Sequence, residues 1–195
     1  MLSSLYALLV VSSLAWAGPP PAPTLSAEEL GVLATGEVVL RRGEGEGSPT
    51  VVVVDVAADP DTTFAAVMDV KARVGDISAL KQAEVYLDEP GRLGVRWVMG
   101  IAGVSVEFST LYVVDRAGRW CTYELDPSRP SSLKSSGGSY QVLSRPGGSR
   151  IVYTAAVSAE GEEGWVRRQM QEKGTRSLLG GMKARAEAAA ARGPG

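Results

Sequence analysis

Apolar residues recur along this chain with two different periods, and the change from one to the other divides the chain. Near the start, "LSAEELGVL" (Leu25–Leu33) has helical spacing, with Ser26 placed to cap a short amphipathic helix. "GEVVLRR" and "TVVVVDV" then predict two strands, joined by the polar connection Gly43 to Ser48. Asp59 before Pro60 is the order of an N-cap and a first helical residue. The helix it opens carries Phe64, Val67 and Met68 on one face, and a second short helix is expected near Ala72 to Leu80.

From Ala83 onward the period becomes two, which marks strands. The segments are "AEVYLDE", "RLGVRWVMG", "VSVEFSTLYVVD", "RWCTYELD", "SYQVLSR" and "RIVYTAAVS". Turn residues separate them at Glu89-Pro90-Gly91, Ala117-Gly118 and Pro146-Gly147-Gly148, and Pro127 to Gly138 reads as a longer polar loop. Glu163 to Arg192 reads as one long helix interrupted at Gly174 and at Gly180-Gly181. Short helices, then an antiparallel meander, then a closing helix mean an α+β fold rather than a parallel sheet.

Turn positions give registers that can be compared with one another. A turn at Ala117-Gly118 sets Tyr112 opposite Tyr123, Thr110 opposite Leu125 and Val114 opposite Cys121. A turn near Ala102 sets Trp97 beside Val106 and Arg96 near Glu107, and the Pro146 to Ser149 turn sets Val142 against Tyr153. One sheet face then carries Val95, Trp97, Met99, Val106 and Phe108, together with Tyr112, Tyr123, Tyr140 and Tyr153. Arg96, Glu107, Ser109 and Glu124 take the other face. Val166, Met170, Gly174, Leu178 and Met182 fall at steps of four on the closing helix, a stripe able to lie on the apolar sheet face. Its glycines each cost about 1 kcal/mol against Ala, and either close packing or room for a guest beneath the helix accounts for them.

Composition narrows the chemistry. Of 195 residues none is His and one, Cys121, is Cys, which removes His-based triads, His metal ligands and an internal disulfide. Net charge is −2, so no basic surface advertises nucleic acid. The glycines of "GEGEGSP" precede their strand, whereas a phosphate-binding loop follows its strand and opens a helix, and Glu44 and Glu46 repel anions. Residues 1–17, "MLSSLYALLVVSSLAWA", combine an apolar core with Ala15-Trp16-Ala17, the signature of a cleaved signal peptide, although no Lys or Arg precedes the apolar run. Residues 18–24, "GPPPAPT", read as a stiff linker, 25–192 as the folded domain and 193–195 as a flexible tail.

Three segments carry a resemblance. "VVVVDVAADPDTTFAAVMDV", with Phe64 and Asp69, resembles the second strand and first helix of the SRPBCC superfamily, which includes START-type, birch-pollen-allergen-like, polyketide cyclase and coenzyme Q-binding proteins. "GGSYQVLSRPGGSRIVYTAAV" resembles its late hairpin and "GWVRRQMQEKGTRSLLGGMKARAE" its closing helix, so that the likeness spans Gly36 to Arg192. It implies a helix-grip fold: a curved antiparallel sheet wrapped around a long C-terminal helix, two short helices after the second strand, and a cavity for lipids, quinones or other apolar ligands. Aromatase and cyclase members use polar cavity groups, often Arg, Ser, Asp or His. Here the inferred inward face is aliphatic and aromatic, with the four tyrosine hydroxyls as its main polar handles.

The expectation is an exported (periplasmic or secreted) bacterial protein that holds a lipid-like or quinone-like molecule without cofactor or metal. Contacts are expected from Val95, Trp97, Met99, Val106 and Phe108, from Tyr112, Tyr123, Tyr140 and Tyr153, and from Val166, Met170 and Leu178. Transient membrane contact is allowed. The competing readings are a cyclase-like enzyme, with Arg96 as an anion clamp if the strand phase is off by one, and an interaction domain whose core is filled.

Overall fold

A computed structural model describes residues 18–19, 21–43, 48–101, 103–159 and 174–193. Helix α1 (Ala27–Ala34) begins as its sequence requires: Ser26 accepts from the Glu29 N–H, and the Glu29 carboxylate accepts from the Ser26 N–H. Glu29 also pairs with Arg41 of β1 (Val39–Arg41), fastening the helix to the sheet edge. Strand β2 (Thr50–Val56) pairs antiparallel with β1, so the glycine-rich stretch joins a hairpin. Helix α2 (Pro60–Met68) is capped by Asp59, whose carboxylate accepts from the N–H groups of Asp61 and Thr62.

The expected second helix shrinks to one turn, α3 (Arg73–Asp76); Ile77 is already extended and β3 (Leu80–Glu89) starts three residues before the alternation does. Gly75 in that turn is a poor helix former, and pairing of Leu80 with Met99 draws the chain into the sheet. The meander continues as β4 (Arg92–Ile101), β5 (Val104–Asp115), β6 (Trp120–Leu125), β7 (Leu133–Arg145) and β8 (Gly148–Ala159). Strand β7 includes Leu133 to Gly138, where the sequence predicts a polar loop: this Ser/Gly-rich stretch has no alternation of its own and takes its strand form from pairing with β8. Helix α4 (Thr175–Arg192) runs through Gly180-Gly181 without a break, contrary to the expected interruption. Residues 163–173 of the expected closing helix, and with them Val166 and Met170, lie outside the described residues.

All strands join one antiparallel sheet of order β1-β2-β8-β7-β6-β5-β4-β3. The β5–β6 register is as the turn requires, with Tyr112 opposite Tyr123 and Val114 opposite Cys121. The two other hairpins are each shifted by two residues, placing Trp97 opposite Phe108 and Tyr140 opposite Tyr153. A two-residue shift leaves every side chain on its face. Arg96 still reaches Glu107, now diagonally at 2.6 Å, and also meets Glu84, so it sits on the outer face and cannot clamp a guest inside. Ser109 shares that outer side yet is 4% exposed, since the Asp126 to Ser132 segment bonds across it.

Two apolar clusters form. Val52, Val54 and Val56 point into the main core with Phe64, Val67, Leu179 and Met182, and Val53 packs with Leu33, Val39 and Val152 under α1. Because β2 is covered on both faces it reads as a continuous valine run. Its one charge, Asp55, is paired with Arg150 and Arg145.

Candidate functional site: a cavity between sheet and closing helix

The concave face of β4–β8, the α3 to β3 segment and the first turn of α4 line a cavity of about 730 Å³. Sheet alternation supplies its floor. Trp97 and Met99 come from β4, Phe108, Thr110 and Tyr112 from β5, Tyr123 from β6, Ser136 and Tyr140 from β7, and Tyr153 and Val157 from β8. Gly174, Thr175, Ser177 and Leu178 form the helix side, and the run from Arg73 to Leu80 contributes the remaining wall.

The tyrosines form a ladder across four strands. Ring centroids lie 5.3 Å apart for Tyr112–Tyr123, 6.0 Å for Tyr123–Tyr140 and 4.5 Å for the stacked pair Tyr140–Tyr153. The Tyr123 and Tyr153 hydroxyls bond each other at 3.0 Å. Gly138, opposite Tyr123 on β7, makes this approach possible, because a side chain there would meet the Tyr123 hydroxyl. Trp97 donates its indole N–H to the Thr110 hydroxyl at 2.8 Å, leaving an apolar ring toward the cavity. Burial holds the phenols of Tyr123, Tyr140 and Tyr153 well above their ordinary value, so they are neutral donors at physiological pH.

Of the residues singled out from sequence, Trp97, Met99, Phe108, Tyr112, Tyr123, Tyr140, Tyr153 and Leu178 meet in this wall. Val95 is fully buried and Val106 partly so, but both pack in the core beside the cavity rather than line it.

The main surprise is Arg73. It is 3% exposed, lines the cavity, and has its guanidinium carbon 4.9 Å from the Tyr140 ring centroid, 5.6 Å from Trp97 and 5.9 Å from Tyr112. Nη2 donates to the Val67 carbonyl at 2.7 Å and Nη1 to the Tyr112 hydroxyl at 3.2 Å, while Nε has no partner. Burial works against its charge, and the hydrogen bond to the Tyr112 hydroxyl works for it. The tyrosine hydroxyls are therefore not the main polar handles of the cavity. The one acidic residue among the described lining, Asp76, is held through both oxygens by Arg185 Nη1 at 2.6 Å. No three metal-ligating side chains converge among the described residues. Nor is any described helix long and apolar enough to cross a membrane.

Chemically, the described lining offers apolar area, neutral hydroxyl donors and a single fixed cation. It offers no free carboxylate or thiolate as a base, and burial pushes the thiol of Cys121, in the core beside the cavity, up to about 12.

Comparison with known proteins fits this geometry. Residues 50–190 match the family described as polyketide cyclase / dehydrase and lipid transport. No curated protein sequence matches the chain. Among solved structures, a protein of Thermus thermophilus is similar at 21% identity and TM-score 0.64, over 72% of this chain and 98% of that one. The Zhui aromatase/cyclase of Streptomyces sp. R1128 is similar at 14% identity and TM-score 0.64, over 75% and 98%. A STAR-related lipid transfer protein of Xanthomonas axonopodis is similar at 13% identity and TM-score 0.63, over 76% and 92%. These likenesses establish the helix-grip fold, and the family match covers most of the strands, the cavity floor and α4: the chain belongs to the polyketide cyclase / dehydrase and lipid transport family.

Proposed function

We propose that the protein binds and carries a hydrophobic small molecule, lipid-like or quinone-like, and does not transform it. The observation that carries this reading is the cavity itself. Its volume of about 730 Å³ lies within the roughly 300–1,000 Å³ of small-molecule sites. A core filled by its own side chains would leave no such space. Enclosing an apolar chain there removes it from water at about 0.8 kcal/mol per CH₂. A cyclase needs a proton acceptor beside its substrate, and Asp76, the one described carboxylate at the wall, is committed to Arg185.

The same proposal places the protein outside the cytoplasm, with residues 1–17 removed and Gly18 as the mature N-terminus. Such a carrier shields a mobile apolar molecule in an aqueous compartment. Solvent extraction of protein purified from its native host, followed by mass spectrometry, tests the binding reading. A co-purifying apolar molecule at near-equal stoichiometry is expected. Ligand-free protein that takes up neither a fluorescent fatty-acid analogue nor a quinone analogue would overturn it. N-terminal sequencing of the same sample tests export, and an intact Met1 in the extracytoplasmic fraction would count against it.

A further inference from the structure

Arg73 is a cation with no anion beside it among the described residues. No described carboxylate pairs with it, and it is 3% exposed. Buried charges are ordinarily paired, because desolvation costs several kcal/mol per ion. Three aromatic faces and two hydrogen bonds to neutral oxygens offset part of that cost. Of the five N–H donors a guanidinium carries, those two bonds use two, and Nε is unpartnered. Nothing in this asks for a cation if the guest is wholly apolar. A Leu or Met would fill the place without the desolvation penalty.

We propose that Arg73 receives the head group of the ligand, which is accordingly a single-tailed amphiphile bearing one planar carboxylate, its head on the guanidinium and its tail along the Trp97, Met99 and Leu178 side of the cavity. This rests on the carrier reading above and narrows its ligand class. The charge count favours a monoanion: Arg73 is the one cation of the described lining, and Asp76 is neutralised by Arg185. A carboxylate matches the planar fork of a guanidinium in two parallel hydrogen bonds. A phosphate head brings up to two charges and a tetrahedral shape to a site walled by flat rings. The neutral phenols of Tyr123, Tyr140 and Tyr153 add no competing negative charge to the cavity.

Arg73 also ties the end of α2 to β5 through Val67 and Tyr112, and a purely structural role would consist of that clasp alone. Ligand preference separates the two. Delipidated full-length protein is titrated calorimetrically with decanoate, methyl decanoate and decyl phosphate, each below its aggregation limit. The wild type is expected to bind decanoate at least about tenfold more tightly than the ester, the scale of hydrogen bonds to a charged group. Decyl phosphate is expected to bind no more tightly than decanoate. Arg73→Met is expected to bring the acid-to-ester ratio to about one or below while keeping ester binding, and Arg73→Lys to retain part of the preference.

Equal wild-type affinity for acid and ester overturns the head-group assignment and leaves the carrier reading standing. An acid preference that survives in Arg73→Met overturns it as well, and tighter binding of decyl phosphate overturns the choice of carboxylate. If none of the three chains binds, this inference falls, and uptake of the quinone analogue then decides whether the carrier reading falls with it. Should Arg73→Met fail to fold, the wild-type comparison and Arg73→Lys still decide.

Discussion

The chain contains two phenylalanines, and they form a matched pair for asking whether the cavity is real in solution. Phe64, on α2, is 4% exposed, lies in the main core and does not line the cavity. Phe108, on β5, is 9% exposed, belongs to the same core, and lines the cavity. In a filled core either Phe→Ala change costs about 3–5 kcal/mol, from lost transfer energy plus the void left behind. For Phe108 the cavity side of the ring already lacks neighbours, so truncation forfeits fewer contacts and enlarges an existing space. We expect Phe64→Ala to lose about 3–5 kcal/mol and Phe108→Ala about half of that, roughly 1.5–2.5 kcal/mol. Urea unfolding of delipidated protein, with unchanged m-values, measures both. The Phe108 variant should in addition weaken uptake of a fluorescent fatty-acid analogue, while the Phe64 variant should not. If both variants lose the same stability, above about 3 kcal/mol, Phe108 is ordinary core and the cavity does not exist in the free protein.

The two glycines within α4 should behave oppositely. A methyl group at Gly181 runs into the Asp76 carboxylate and must displace it from Arg185, so Gly181→Ala should lose about 1–3 kcal/mol; Gly180 has open space, and Gly180→Ala should gain up to about 1 kcal/mol, both by urea unfolding. Cys121 is fully buried with its thiol pushed up to about 12, so a maleimide at pH 8 should label it only at the rate of global unfolding; labelling within minutes in native buffer would contradict that burial. The side-chain bonds from Arg41, then the Ser26 N–H, lower the Glu29 carboxyl from 4.5 to about 2, so its stabilising contribution is present above about 4.5 and is lost as pH falls through about 2. The stability difference between wild type and Glu29→Gln should therefore be level above about pH 5 and shrink steadily below it.

Which of these features the sequence discloses depends on how local their cause is. Caps are local, so Ser26 and Asp59 are legible from a few neighbouring residues. Face assignment survives errors in turn position because it depends only on odd or even spacing, which is why the tyrosine ladder is legible although two hairpin registers are shifted by two. The long start of β7 is not legible. Leu133 to Gly138 forms a strand only because β8 offers a partner, and its own polar residues carry no period. The small residues of α4 illustrate a mixed case. Sequence poses packing against space, and the structure answers differently at each position: contact with Asp76 at Gly181, cavity wall at Gly174, open space at Gly180.

Arg73 lies at the far end of this scale. "KARVGD" overlaps the expected second short helix, and one turn is too short for its spacing to show which residue points inward. Its position follows from a distant arrangement. Met68 ends α2, the single turn of α3 follows within five residues, and the Arg73 side chain extends from it over the rings of Tyr140, Trp97 and Tyr112. Those rings come from β7, β4 and β5, separated from Arg73 by 24 to 67 positions in sequence. Both contributions are needed to define the cavity chemically. The strands determine that it is apolar, and the short turn determines that its described wall carries one cation. A fold built to hold any oily molecule needs only the first, so the position of Arg73 is where selectivity for the guest has to be sought.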